Sequence, residues 1–89
     1  MKVRVLTPGA ILFDDEAVEA ALPGIDGVFA VWDFHQDAVC ALAGGDVVLR
    51  RRGAGDGRDI QTVFPIACGV ARVRDGALVV MAEAAAGKL

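Results

Sequence analysis

The chain contains no Ser, no Tyr and no Asn, and its only side-chain alcohols are Thr7 and Thr62. Serine-based acyl transfer is thereby excluded. Cysteine is scarce: Cys40 and Cys68 lack the paired short spacing of a zinc site and are too few for a disulfide scaffold, so both read as reduced, buried thiols. Aromatic residues make up only 6% of the composition, which leaves Val, Leu, Ala and Ile, with a few Phe rings, to build any core. Long apolar runs are missing as well. Ala38 to Ala43 and Ala77 to Ala82 fall far below the roughly 20 residues needed to span a bilayer. Lys2 and Arg4 interrupt the N-terminus and Pro8-Gly9 follows, so no apolar stretch of a secretory signal is present and the chain reads as cytoplasmic. The net charge of −3 argues against a nucleic-acid binder held by phosphate neutralisation.

What is present is a sequence of 89 residues that is 55% apolar, enough for one packed domain of marginal stability, about 4–13 kcal/mol. Lys2 to Val5 alternates polar and apolar before Thr7-Pro8-Gly9, the period-two signature of a half-buried strand closed by a turn. Ala10 to Phe13 reads as a second strand. Glu16 to Leu22 is ambiguous. Asp14 can cap a helix there, but Val18, Ala20 and Leu22 also alternate with their neighbours before Pro23-Gly24 ends the run. Asp26-Gly27 is a tight-turn dipeptide, and Val28 to Trp32 after it is a β-rich apolar run expected to be buried on both faces.

Residues 33–37 read as a loop, Ala38 to Leu42 as a strand, and Gly44-Gly45 as a break. A strand from Val47 to Arg52 leads into the glycine-rich tract Gly53 to Gly57, a hairpin tip. Asp59 to Ile66 resumes the strand pattern, Pro65 places it at an edge or a bulge, and Gly69 is expected to interrupt it. Asp75-Gly76 supplies a two-residue hairpin turn into Ala77 to Met81. Short strands separated by regular turn signals predict an all-β sandwich or barrel over residues 1–82, followed by a tail, 83–89, that is a helical stub at most.

Several side-chain groups invite a chemical reading. If extended, residues 33–37 would point Asp33, His35 and Asp37 to one face, the donor set of a small metal-dependent enzyme or ligand-binding β-domain. Against this, one strand supplies all the ligands, and a polar loop accounts for the same residues. His35 and Cys40 fall on opposite faces of a strand and make no nucleophile–base pair. Arg50, Arg51, Arg52 and Arg58 flank the hairpin tip; they suit a charged edge that deters strand pairing, or an accessory contact with an acidic partner or lipid headgroups. Asp14-Asp15-Glu16 lacks the spaced ligands and glycine of a calcium loop and reads as a solvated turn.

The segment Arg4-Val5-Leu6-Thr7-Pro8-Gly9-Ala10-Ile11-Leu12-Phe13, with Leu22-Pro23-Gly24-Ile25-Asp26-Gly27-Val28-Phe29-Ala30-Val31 after it, resembles the opening of F-type ATP synthase epsilon subunits. His35 falls where that family places the His of a Pro-Gly-His-Ala-Pro loop. Gly69 to Gly76 and Leu78 to Ala82 are similar to its last hairpin. The chain departs from the family at Asp33 and Asp37, which stand for prolines, at Ala67-Cys68-Gly69, which replaces a Ser-Gly-Gly turn, and at Val28, where some members carry a Glu directed at the membrane ring.

The resemblance implies a flattened two-sheet β-sandwich of roughly ten short strands, which overrides the local helix signal at residues 16–22. It implies a non-catalytic rotor-stalk subunit without cofactor, bound to the gamma subunit and, through Asp26, Gly27, Val28 and His35, to the ring of c subunits. Such a subunit lies on the inner face of the cell membrane and touches the membrane only through its complex. The family's C-terminal helical hairpin has no counterpart in these residues, which implies that the self-inhibition it provides is missing too.

Overall fold

A computed structural model describes residues 1–32, 36–53, 55 and 57–85. Among them the regular structure is entirely strand: β1 (Lys2–Thr7), β2 (Ala10–Glu16), β3 (Glu19–Gly24), β4 (Gly27–Trp32), β5 (Ala38–Leu42), β6 (Gly45–Arg52), β7 (Asp59–Arg74) and β8 (Ala77–Ala84). The hydrogen-bonded order is β2-β1-β8-β7-β5-β3-β4, with β6 joining β3 to β7. Only β1 and β8 run parallel; every other pairing is antiparallel.

β7 turns this one sheet into two layers. Its first half, Asp59 to Ile66, pairs with β6, and its second half, Gly69 to Val73, pairs with β5. β6 then pairs with β3, which meets β5 again at Gly24 and Leu42, so the strands close a ring and the layers fold face to face. Each strand contributes its alternate residues inward. Val3, Val5, Leu78, Val80, Ala71 and Val73 from one layer meet Ala20, Leu22, Val31, Val47 and Leu49 from the other in a single buried cluster. Phe13 and Phe64 pack edge to face across the layers, centroids 6.1 Å apart. Polar side chains are absent from this core among the described residues, as a sheet with period-two patterning requires.

Residues 19–24 are strand. Ala20 and Leu22 are fully buried and pair with Val31 and Phe29, so burying one side of an alternating run outweighs helix propensity. The Asp75-Gly76 hairpin forms as expected, both residues at positive φ, 53° and 74°, as a two-residue type I′ turn demands. Pro65 pairs with Asp46 of β6, its carbonyl accepts from the Ala85 N–H at 3.4 Å, and it stands next to an irregular register between Ile66 and Cys68.

Five sequence expectations need correction. Among the described residues the strands number eight where roughly ten were expected, and Gly69 does not interrupt β7. A Cβ at Gly69 would lie 2.7 Å from the Met81 carbonyl oxygen, so the glycine serves the close approach of β8 and not a chain break. Asp14-Asp15-Glu16 is the end of β2 and no turn, held in register against Lys2, Val3 and Arg4. Val28 to Trp32 is not buried on both faces: β4 pairs with β3 alone, leaving Val28 and Trp32 exposed. Cys68 is exposed and Cys40 only half-buried. Finally, β8 runs through Ala84, so Glu83 and Ala84 belong to the sheet instead of a tail; residues 86–89 lie outside the described residues.

Candidate interaction surfaces

Paired residues on neighbouring strands point to the same side of a sheet, so the strand registers define what each outer surface carries. On the outer side of the layer formed by β2, β1, β8, β7 and β5, Ile11 pairs with Leu6, Leu6 with Met81, Met81 with Val70 and Val70 with Ala41. These side chains form one apolar row across the layer, about 19 Å long at the usual strand spacing. Ile11, Met81 and Val70 are 59%, 46% and 40% exposed, well above what their positions in a closed core would allow. A hollow lined by Leu6, Thr7, Pro8, Gly69, Met81, Ala82 and Glu83 adjoins the row at Leu6 and Met81.

The next row along the same surface is Asp14, Arg4, Val79, Arg72 and Val39, and beyond it lie Glu16, Lys2, Ala77 and Arg74. Asp14 is 3.2 Å from the Lys2 ammonium and 3.8 Å from the Arg4 guanidinium. The acidic end of this strip is therefore internally paired, and Arg72, near its centre, is left facing solvent. The row has no signature in the linear sequence, since each strand contributes one residue.

Asp26, Gly27 and Val28 sit at the β3–β4 hairpin. Ile25 and Asp26 form its turn and Gly27 opens β4, one step earlier than the Asp26-Gly27 dipeptide suggests. Backbone bonds tether this hairpin to β5: Ile25 N–H donates to the Ala41 carbonyl at 3.3 Å, and Ala43 N–H donates to that of Pro23 at 2.8 Å. A shallow groove lined by Asp26, Gly27, Phe29, Val39, Cys40 and Ala41 results. Ile25 and Val39 line it as exposed aliphatic side chains, and Val28, next to Gly27 in the chain, is exposed as well. Through Ala41 this end of the molecule adjoins the apolar row.

His35 and Asp33 lie outside the described residues. Asp37, their companion in a metal reading, uses its Oδ1 to accept a hydrogen bond from the Asp75 N–H at 3.1 Å, an anchor for the β7–β8 turn.

The arginines of the β6–β7 hairpin divide. Arg50 donates to Asp59 and lies 3.5 Å from Glu19. The hydrogen bond that Arg50 donates to Asp59, aided by Glu19 and opposed by desolvation, raises the pKa of its guanidinium above the ordinary arginine value. Arg51 Nη1 lies 3.0 Å from Asp15 Oδ2, and its guanidinium covers the Phe13 ring. Arg52 and Arg58 are exposed. Arg50 and Arg51 thus help to hold the domain itself together, Glu19 and Asp15 being partners remote in sequence.

Among the described residues no helix is long and apolar enough to cross a membrane. The family described as ATP synthase, Delta/Epsilon chain, beta-sandwich domain matches residues 1–88. The ATP synthase epsilon chain of Gloeobacter violaceus is 29% identical over 87 residues, covering 96% of this chain and 60% of its own length. That of Sulfurimonas denitrificans is 27% identical over 85 residues, covering 96% and 62%. The chain thus spans about three-fifths of the relatives it matches. In fold it is similar to a chain in the central stalk/c-ring of the Tetrahymena thermophila mitochondrial ATP synthase, at a TM-score of 0.77 and 13% identity over 92% of this chain and 62% of that one. A chain in the Euglena gracilis mitochondrial ATP synthase gives 0.74 at 20% identity, over 90% and 48%. With the family matched across almost its whole length and the two-layer fold in place, the chain belongs to the ATP synthase delta/epsilon family, as its beta-sandwich domain.

Proposed function

We propose that this domain is a non-catalytic coupling element of an F-type ATP synthase rotor. The gamma subunit docks on the outer surface that carries Ile11, Leu6, Met81, Val70 and Ala41, and the ring of c subunits meets the hairpin end at Asp26, Gly27 and Val28; the resemblance adds His35 to that contact. One observation carries this reading: an apolar row spans a whole sheet surface and shares a border, at Ala41, with a second exposed aliphatic end. Single exposed apolar residues are ordinary, but a contiguous strip marks a protein contact. The strip is bordered by Arg72, which faces solvent, so the surface of gamma that fits it is apolar with a carboxylate opposite that arginine.

Mechanically, the closed ring of β7, β6, β3 and β5 suits a body that carries torque between two contacts. Close-packed interiors have low compressibility and pass strain on. Ion flow through the ring then reaches gamma partly through this wedge, at the inner face of the membrane and without any residue of the domain crossing it.

Co-purification tests the assignment. Tagged domain mixed with the gamma subunit of the same synthase is expected to hold it, and Met81→Lys to release it by at least about tenfold, since a charge would be desolvated at the centre of the row. If the unaltered domain captures no gamma, the assignment fails.

A further inference from the structure

The two outermost strands of the sheet are treated very differently by the sequence. β2 pairs only with β1, and it ends in Asp14, Asp15 and Glu16, with an irregular register opposite Val5 and Leu6. Charges and bulges of this kind keep an edge from recruiting another strand. The free side of β7 is likewise closed by Asp59 and Pro65. Among the described residues β4 pairs only with β3, yet Gly-Val-Phe-Ala-Val-Trp contains no charge, no proline and no register shift.

The register also shows which backbone groups β4 leaves open. Ile25 and Asp26 alone separate Gly24 from Gly27, so that pair exchanges both of its hydrogen bonds, and alternation gives the same bonding to Leu22 with Phe29 and Ala20 with Val31. Pro23 falls in the intervening non-bonded pair opposite Val28, where its missing N–H costs β4 nothing; its carbonyl instead accepts from Ala43. The N–H and C=O groups of Val28, Ala30 and Trp32 therefore point away from β3.

An odd run centred on an outward-pointing residue is self-complementary. Laid antiparallel against a second β4 about Ala30, every open group finds a partner: Ala30 faces Ala30, and Val28 faces Trp32 twice. Phe29 stands opposite Val31 on the core side, where Val31 is already covered by its own domain. No like charges are opposed, and the two Val28–Trp32 contacts are of the aromatic–aliphatic kind that stabilises cross-strand pairs. The geometry points to a second copy of this domain as the occupant of the β4 edge, in an isologous dimer whose two-fold axis passes beside Ala30.

This goes beyond the stalk reading and does not depend on it. It does bear on it, because pairing covers Val28, next to the hairpin proposed to meet the ring. Self-paired domains and ring-attached domains are then mutually exclusive, and the pair is a holding form of the unassembled subunit that hides an adhesive edge.

Sedimentation equilibrium of the purified domain is expected to show a reversible monomer–dimer exchange. Trp32, the single Trp of the chain, reports it by a blue shift of emission as concentration rises. Ala30→Pro removes only an outward N–H and is expected to weaken association at least about tenfold, because two hydrogen bonds are lost per dimer. Ala30→Lys and Ala30→Glu place like charges on the axis, so each is expected to be monomeric while an equimolar mixture regains the dimer. That rescue is specific to the proposed register and holds even if the proline variant fails to fold. A wild-type domain that stays monomeric to about 1 mM, the weak limit of specific association, overturns the proposal. So does a dimer indifferent to the Ala30 variants and abolished by Met81→Lys, which would assign self-association to the apolar row. Gamma capture, read separately, leaves this result untouched.

Discussion

Arg51 on β6 bonds Asp15 on β2, a strand with which β6 shares no ladder: Nη1 and Oδ2 are 3.0 Å apart, and the guanidinium carbon stands 5.6 Å from the centroid of the Phe13 ring. The side chain reinforces the seam between β2 and β6, where the Val18 N–H already donates to the Arg50 carbonyl at 2.8 Å. Both partners are substantially solvent-exposed, so the ion pair alone is worth little, and the stacked plane and buried stem carry most of the effect.

Arg51→Ala is accordingly expected to destabilise the domain by about 1–2 kcal/mol. Arg51→Lys, which keeps the charge but not the plane, should lose roughly half as much. Urea denaturation at low and high salt separates the contributions: an ion-pair effect fades with salt and a packing effect does not. If Arg51→Ala unfolds at the same urea concentration as the parent, the clamp is absent.

Leu22 is fully buried and faces Phe29 at the base of the β3–β4 hairpin. Leu22→Ala removes that support and leaves a cavity, with an expected loss of about 2–5 kcal/mol. For a domain of this size such a loss is a large part of the total, so the variant should be partly unfolded at 37 °C. Calorimetry showing a melting temperature within about 4 °C of the parent, equivalent to no more than 1 kcal/mol, would contradict the core assignment.

Gly69→Val tests the seam between β7 and β8. Its Cβ would meet the Met81 carbonyl oxygen at 2.7 Å and the Ala82 Cβ at 3.1 Å, so β8 must shift directly beneath the apolar row. A loss of about 1–3 kcal/mol is expected, together with weaker capture of gamma. Amide exchange should rise along Met81 and Ala82 first. Unchanged protection there would show that the seam has room to spare.

Local chemistry made part of this molecule legible. The Asp75-Gly76 turn and the alternation in β1 and β8 are written in a few adjacent residues, and the structure has them. Residues 19–24 were harder, because helix propensity and strand alternation compete in the same letters and only burial against Val31 and Leu49 decides. What sequence spacing could not show is whatever register assembles. The apolar row takes one residue from each of five strands. Arg51 finds its partner 36 positions away. The apolar run Val28 to Trp32 suggests a central strand by composition, and only the strand order reveals an edge. Asp26, Gly27 and Val28 were singled out only because a family resemblance pointed to them; Ile25 and Val39, which line one groove with Asp26 and Gly27, carried no signal of their own.

Ile25 offers the cleanest probe of the ring contact, because it projects from the turn without belonging to the β4 edge or to the core. Its side chain is 66% exposed, so replacing it should leave stability within about 0.5 kcal/mol. Ile25→Asp, however, sets a second carboxylate beside Asp26 and removes an aliphatic contact from the hairpin end. If the ring meets this end, domain bound to membranes that carry assembled synthase should fall several-fold, while capture of isolated gamma and the Ala30-dependent dimer persist. Loss of gamma capture together with ring attachment would mean that Ile25 lies in one continuous interface. Retention of both would move the ring contact elsewhere on the sandwich.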